Sequence, residues 1–279
     1  MTDSRTVILN NGVTIPRLGF GVFQVPPEDA QGVVEEALAA GYRHIDTAAA
    51  YNNEAGVGAA IKASGLPRDE VFVTTKLRNG DQGYDQALEA YAESCRRLGL
   101  DYVDLYLIHW PYPMADQYVP SWRALERLYS AGRVRAIGVS NFLGEHLDRL
   151  ADEADVVPTV NQIELHPTFQ QRSLSEMCRQ RSIVIEAYSP LGQGADLTDP
   201  VVVSIADHYS KTPAQVILRW HLQRGHIVIP KSGTPERIRS NTDVYGFMLT
   251  AAELDAITAL DSGQRIGGDP ATFALSQIR

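Results

Sequence analysis

Asp46, Tyr51, Lys76 and His109 are residues of types that together can carry out the reduction of a carbonyl group. A carbonyl that takes up hydride at carbon needs a proton at oxygen. A tyrosine hydroxyl is a poor acid-base group at neutral pH, because its ordinary pKa is about 10. An ammonium group beside it favours the phenolate and lowers that pKa. A buried ammonium is costly without a partner, and Asp46 can supply the counter-charge to Lys76. His109 can then donate a hydrogen bond to the substrate oxygen and orient it. Taken singly, each residue has a commoner reading: the aspartate as a helix cap, the lysine as a solvated rim, the histidine as a structural group. What gives them chemistry is being brought to one place, and such a set still lacks a source of hydride.

The elements that must position them follow an alternating pattern. A β-hairpin opens the chain at about residues 6–16, where Thr6-Val-Ile-Leu and Val13-Thr-Ile-Pro flank the turn Asn10-Asn11-Gly12. Short apolar runs follow at 18–22, 44–46, 71–75, 103–108, 134–139, 159–163, 183–187 and 227–229. They are rich in Val and Ile, as strands buried on both faces should be. Between them lie amphipathic stretches, with Ala87, Tyr91, Cys95 and Leu98 at helical spacing, and Trp122, Leu125 and Tyr129 likewise. Thr212-Pro213-Ala214-Gln215 combines an N-cap, a first-turn proline and a capping-box glutamine. Strand–helix alternation of this kind builds either a closed barrel or a doubly wound open sheet. The open sheet wants an early G-x-G-x-x-G turn, but Gly19-Phe20-Gly21-Val22-Phe23-Gln24 ends in Gln and follows a hairpin. The expected fold is therefore an α/β (β/α)8 TIM barrel with an N-terminal β-hairpin, residues 1–279 forming one domain. Catalytic groups in this fold lie beyond the C-terminal ends of the strands, and there Asp46, Lys76 and His109 end three consecutive runs.

A formal charge of −9 argues against nucleic-acid or anionic-membrane surfaces, which want net basic patches. An anionic ligand then needs a local basic pocket, and residues 230–237 offer one. Lys231, Ser232 and Arg237 gather around a helix start with Thr234 as cap and Pro235 as first residue, an arrangement that favours anions. No apolar run is long enough to cross a bilayer, and the start carries no signal-peptide pattern. Cys95 and Cys178 read as buried free thiols, which fit a reducing, cytoplasmic setting. The histidines show no HExxH or cysteine pairing, so no metal is expected, and no G-x-S-x-G elbow suggests a serine hydrolase.

The stretch Gly41-Tyr-Arg-His-Ile-Asp46-Thr-Ala-Ala-Ala-Tyr51-Asn-Asn-Glu54, followed by Gly58, closely resembles the signature of the aldo-keto reductase family. Further matches are Lys76, His109-Trp110-Pro111, Gly138-Val-Ser-Asn141-Phe, and Ile229-Pro-Lys231-Ser232 with Arg237. The resemblance covers nearly the whole chain and is nearest to the bacterial branch of the 2,5-diketo-D-gluconate reductases. It implies that Asp46, Tyr51, Lys76 and His109 form a catalytic tetrad, Tyr51 being the general acid, and that NADPH lies extended across the barrel mouth. Ser140, Asn141 and Gln162 would hold the nicotinamide carboxamide, and Tyr188 would stack on the ring. Ser189 and Leu191 would meet the pyrophosphate, and Gly21 joins the cofactor set. Lys231, Ser232 and Arg237 would take the 2′-phosphate, and Asn241 the adenine, with Gly233 and Ser240 departing from the residues usual there. Phe23 and Trp110 would line the substrate pocket, with a C-terminal loop of about residues 262–279 as its other wall. Arg78, where relatives commonly have Trp, could bind a carboxylate on a keto-sugar acid. The resemblance further implies a monomer acting on a small carbonyl compound, with a non-catalytic NADPH-binding regulatory subunit as the alternative.

Overall fold

The computed structural model describes residues 4–274. The end of the expected C-terminal loop, 275–279, lies outside the described residues. Strands β1 (Thr6–Ile8) and β2 (Thr14–Pro16) pair antiparallel as the expected hairpin. Gly12 takes the positive φ of the turn, and the Asn11 side chain accepts the Val13 N–H.

Eight parallel strands follow in one sheet, each paired with the next: β3 (Phe20–Gly21), β4 (His44–Asp46), β5 (Phe72–Leu77), β6 (Val103–Ile108), β7 (Val134–Ser140), β8 (Val160–Glu164), β9 (Val184–Tyr188) and β10 (Ile227–Val228). Backbone bonds from Gly19 N–H to Val228 O, from Val228 N–H to Arg17 O and from Gly21 N–H to Pro230 O bring the first and last strands together into a barrel. The connecting helices are α1 (Pro27–Ala39), α2 (Glu54–Ala63), α3 (Tyr84–Leu98), α4 (Tyr118–Ser130), α5 (Gly144–Glu153), α6 (Arg172–Gln180), α7 (Pro200–Tyr209), α8 (Pro213–Gln223), α9 (Pro235–Ser240) and α10 (Ala251–Thr258).

The hydrophobic pattern sets this packing. Ala87, Tyr91, Cys95 and Leu98 of α3 are buried, as are Trp122 and Leu125 of α4. Inside the barrel, Phe72, Leu105, Leu107, Ala136, Val160 and Ile227 form an apolar floor with Leu9 and Ile15 of the hairpin. The hairpin thus closes the N-terminal end of the barrel, and Asn10 and Asn11 tie it to the carbonyls of Pro158 and Arg135. The Thr212–Gln215 capping box forms as expected. Two local details differ. β5 runs on to Leu77, so Lys76 lies within the strand rather than after it. Thr234 occupies the N-cap position of α9 without a side-chain cap bond, and its own N–H donates to Ser232 Oγ at 3.1 Å.

Helices α2 and α3 meet where a glycine is required. A Cβ on Gly58 would stand 1.9 Å from the Leu98 carbonyl oxygen, so backbone would have to move. Gly58→Ala is expected to lower the unfolding free energy by about 1–3 kcal/mol, measured by urea denaturation. An unchanged midpoint would mean that the end of α3 yields without cost.

Candidate active site

Asp46 ends β4 and Lys76 stands on the neighbouring β5, where the strand alternation turns both side chains into the barrel. Lys76 is fully buried. Its Nζ donates to Asp46 Oδ1 at 2.6 Å, to Thr47 O at 2.9 Å and to Tyr51 OH at 3.4 Å. The second Asp46 oxygen accepts Gln162 Nε2 at 2.7 Å, so the carboxylate is bonded on both sides. His109, just past β6, brings Nε2 to 3.5 Å from Tyr51 OH.

Tyr51 reaches this position through the turn Ala49–Tyr51, which Asn52 ends in the left-handed conformation. Asn53 fastens the turn: it accepts Thr47 Oγ1 and donates to Val22 O and Val25 O. That staple also brings Phe23 within 5.1 Å of the Tyr51 ring, centroid to centroid. Glu54 locks the start of α2 by accepting Thr75 Oγ1 and Arg97 Nε, each at 2.6 Å. The run of polar residues after Asp46 is therefore the fastening of the tyrosine.

Burial works against every charge in this group. It pulls the Lys76 ammonium down, but Asp46 and Tyr51 more than offset it and leave the pKa above its ordinary value. It pushes the Asp46 carboxyl up, against the pull of Lys76 and Gln162. For Tyr51 burial wins over Lys76, and the phenol is raised above 10. Lys76 pulls the phenol down as expected from a neighbouring ammonium, but burial of the phenolate outweighs that pull. His109 is held neutral by burial and by Lys76. Its Nδ1 is buried without a partner, so a proton on Nε2 would face the site.

The cofactor candidates fall into two groups. Asn141, in the left-handed region at φ 63°, donates to His109 O and Ser140 Oγ and accepts the Tyr188 hydroxyl at 2.8 Å. Ser140 Oγ donates to Gln162 O. Ser140, Asn141, Gln162 and Tyr188 are therefore one bonded cluster beside the tetrad. Ser189, at φ 46°, and Leu191 continue from it into the turn Gly192–Thr198. Gly21 lies where β3 closes on the end of β10, and a Cβ there would stand 3.0 Å from Ile229 O. The second group is separate, on the β10–α9 connection and along α9. Lys231 and Arg237 are exposed and have no side-chain partner among the described residues, Ser232 is buried, and Asn241 caps the end of α9. Two unpaired cations, a bonded amide and hydroxyl cluster and an anchored aromatic ring form a donor set that fits a phosphate-bearing nicotinamide dinucleotide.

On the substrate side, Trp110 is buried under Phe273, stacked at 3.9 Å with 19° between the rings. Arg78 is turned onto Asp81, with bonds of 2.6 and 3.0 Å, so a ligand carboxylate would have to compete with that pair. Several polar residues at the mouth went unread in the sequence. Glu164 ends β8 and His166 follows two positions later, and both are buried. Their spacing was visible, but Asp196, which bonds His166 at 3.1 Å, is thirty positions away. Glu186 of β9 looked like one residue of an apolar strand.

Glu186 is fully buried with neither carboxyl oxygen hydrogen-bonded, His44 Nε2 being 3.6 Å away. Burial, reinforced by Asp46, pushes its pKa from an ordinary 4.5 to about 8. The folded state therefore holds a proton there that the unfolded chain releases, so stability falls as pH rises from about 4.5 to about 8. Glu186→Gln removes this loss: the variant is expected to gain on the wild type as pH rises, by on the order of 4 kcal/mol at pH 8. Parallel stability–pH curves from denaturation would contradict it.

The Aldo/keto reductase family matches residues 17–262. An aldo-keto reductase of Mycolicibacterium smegmatis is 53% identical, over 97% of this chain and 98% of its own. Methylglyoxal reductase DkgA of Yersinia pestis is 50% identical, over 98% and 99%. A solved structure of a Gox0644 mutant in complex with NADPH superposes with a TM-score of 0.93, at 49% identity, over 96% of this chain and 98% of that one.

Proposed function

Since the chain belongs to the aldo/keto reductase family, we propose that Tyr51 gives the proton in its reaction, assisted by Lys76, Asp46 and His109. The reaction is the NADPH-dependent reduction of aldehydes or ketones to alcohols. The observation that carries the assignment is the unbroken line of contacts Asp46–Lys76–Tyr51–His109 at the barrel mouth. A carbonyl oxygen set between Tyr51 OH and His109 Nε2 receives two hydrogen bonds, which fix its orientation. NADPH, when bound, supplies the hydride to the carbonyl carbon. As charge gathers on the oxygen, the Tyr51 proton moves to it, and the phenolate left behind faces an ammonium already in place. That ammonium needs no reorganisation during the step, because Asp46 and Thr47 hold it beforehand. A phenol with a raised pKa still suffices, since the forming alkoxide is the stronger base. Tyr51 then regains its proton from solvent.

In this reading Ser140, Asn141 and Gln162 hold the carboxamide of the cofactor, Tyr188 meets its ring, and Ser189, Leu191 and Gly21 border it. Lys231, Ser232 and Arg237 take the 2′-phosphate, with Asn241 toward the adenine. The two exposed cations, without side-chain partners among the described residues, support that choice. Phe23 and Trp110 line a largely apolar carbonyl pocket, and the Arg78–Asp81 pair favours small dicarbonyls over keto-sugar acids. The same reading takes residues 1–279 as one domain and the protein as a cytoplasmic monomer. The two buried free thiols support a reducing compartment, and no helix among the described residues is long and apolar enough to cross a membrane.

Absorbance at 340 nm with methylglyoxal as first substrate tests the proton donor. Tyr51→Phe is expected to lose about 10²–10⁴-fold in kcat while still binding NADPH; full turnover in that variant would remove Tyr51 from the role. Arg237→Ala is expected to weaken NADPH about tenfold and leave NADH unchanged. Equal weakening of both would place the 2′-phosphate elsewhere.

A further inference from the structure

Two segments face each other across the mouth beside Tyr188: the turn Gly192–Thr198 after β9 and the C-terminal stretch 262–268. One buried histidine joins them. His166 Nε2 lies 3.2 Å from Glu164 Oε1, and its Nδ1 lies 3.1 Å from Asp196 Oδ2 and 3.0 Å from Thr168 Oγ1. Glu164 in turn accepts the backbone N–H groups of Ile266 at 2.6 Å and Gly267 at 2.7 Å. Both junctions are tight. A Cβ on Gly267 would stand 2.6 Å from Glu164 Oε2 and 3.5 Å from the Tyr188 hydroxyl, and one on Gly192 would stand 2.7 Å from Asp196 Oδ2. On the far side of the C-terminal stretch, Phe273 covers Trp110.

Ionised carboxylates only accept hydrogen bonds, so a ring facing one at each nitrogen carries a proton on both. We propose that His166, as a cation held between Glu164 and Asp196, is a positioning residue that makes the cofactor-side turn and the substrate-side C-terminal stretch one unit, so that NADPH binding orders the substrate wall. The inference rests on the carbonyl-reductase reading of the mouth. His166 touches none of the tetrad. Burial would push it down, but the bonds to Asp196 and Glu164 outweigh that and hold its pKa up at about 9. The groups facing it are Glu164 from β8, Asp196 from the turn, neutral His221 from α8 and, beyond Glu164, Tyr188 of β9 and Arg265. The folded pKa is raised, so the clamp is intact below about pH 9 and is lost as pH rises through that value.

His166→Gln keeps a polar side chain that cannot carry the charge. NADPH titrated into either protein, followed by tryptophan fluorescence without any carbonyl present, is expected to bind about five- to tenfold more weakly to the variant at pH 7. The ratio of the two dissociation constants then closes toward one as pH passes about 9. Hydrogen exchange supplies the second readout: NADPH protects the Ile266 and Gly267 amides in the wild type and not in His166→Gln. With methylglyoxal, KM rises in the variant while kcat at saturation stays within about twofold. Asp196→Asn, which weakens one arm only, shows the same pattern and covers the case in which His166→Gln does not fold. Equal NADPH protection of Ile266 and Gly267 in wild type and variants, or a pH-independent affinity ratio, overturns the proposal. The exchange and binding readouts need no turnover, so a missing reductase activity is seen separately.

Discussion

A lysine ammonium without solvent exposure persists in a protein interior only if its charge is answered within bonding distance. Lys76 has this in Asp46, whose second oxygen is held by Gln162, and burial raises the Asp46 carboxyl against the pull of Lys76 and Gln162. Three strands must come into register to assemble that arrangement, and only a closed barrel brings β4, β5 and β8 to one interior. The pair's net charge is zero, yet its positive end is directed at the tyrosine. The chain thus spends desolvation free energy on an oriented dipole at the place where oxyanion charge would develop.

The rest of the barrel preserves that geometry. Its lower interior is an apolar floor sealed by the hairpin, and the buried polar side chains His44, Asp46, Lys76, Gln162 and Glu186 share the interior with it. Glu186 shows what such burial costs. A carboxyl without a hydrogen bond stays protonated near neutral pH, because burial penalises its charged form and a second anion next to Asp46 would add to that cost. Asn53 and Glu54 do the opposite work: they satisfy backbone and side-chain groups around the tyrosine turn, leaving few directions in which it can move.

The mouth is asymmetric. On the β4–β6 side, positions are fixed by the tetrad itself and by the staple at Asn53. On the β8–β9 side, Tyr188 is tethered to Asn141, and the walls above it depend on the buried Glu164–His166–Asp196 line. Lys231 and Arg237, before and within α9, stand apart from both, exposed and without side-chain partners among the described residues, as suits groups whose counter-charge would arrive with a ligand.

Apolar runs separated by helical periodicity were enough to establish the element order, the barrel, the strands that carry Asp46 and Lys76 and the one that leads into His109, since burial on both faces leaves its mark directly in residue type. Ser140, Asn141, Gln162 and Tyr188, named from the resemblance, do come together as one bonded cluster, and the basic segment at 230–237 was visible as a local pattern because its residues lie close together in the chain. The sequence could not give the balance of burial against charge at Tyr51, where the phenol is raised although an ammonium stands 3.4 Å away. Nor could it show Arg78 turned onto Asp81, Phe273 over Trp110, or His166 joining Asp196 to a carboxylate that holds Ile266, 102 positions further along from Glu164. Type and spacing determine which face a side chain takes and which neighbours share its strand. Desolvation and long-range partners depend on segments that meet only when the barrel closes, and these the tertiary structure alone decided.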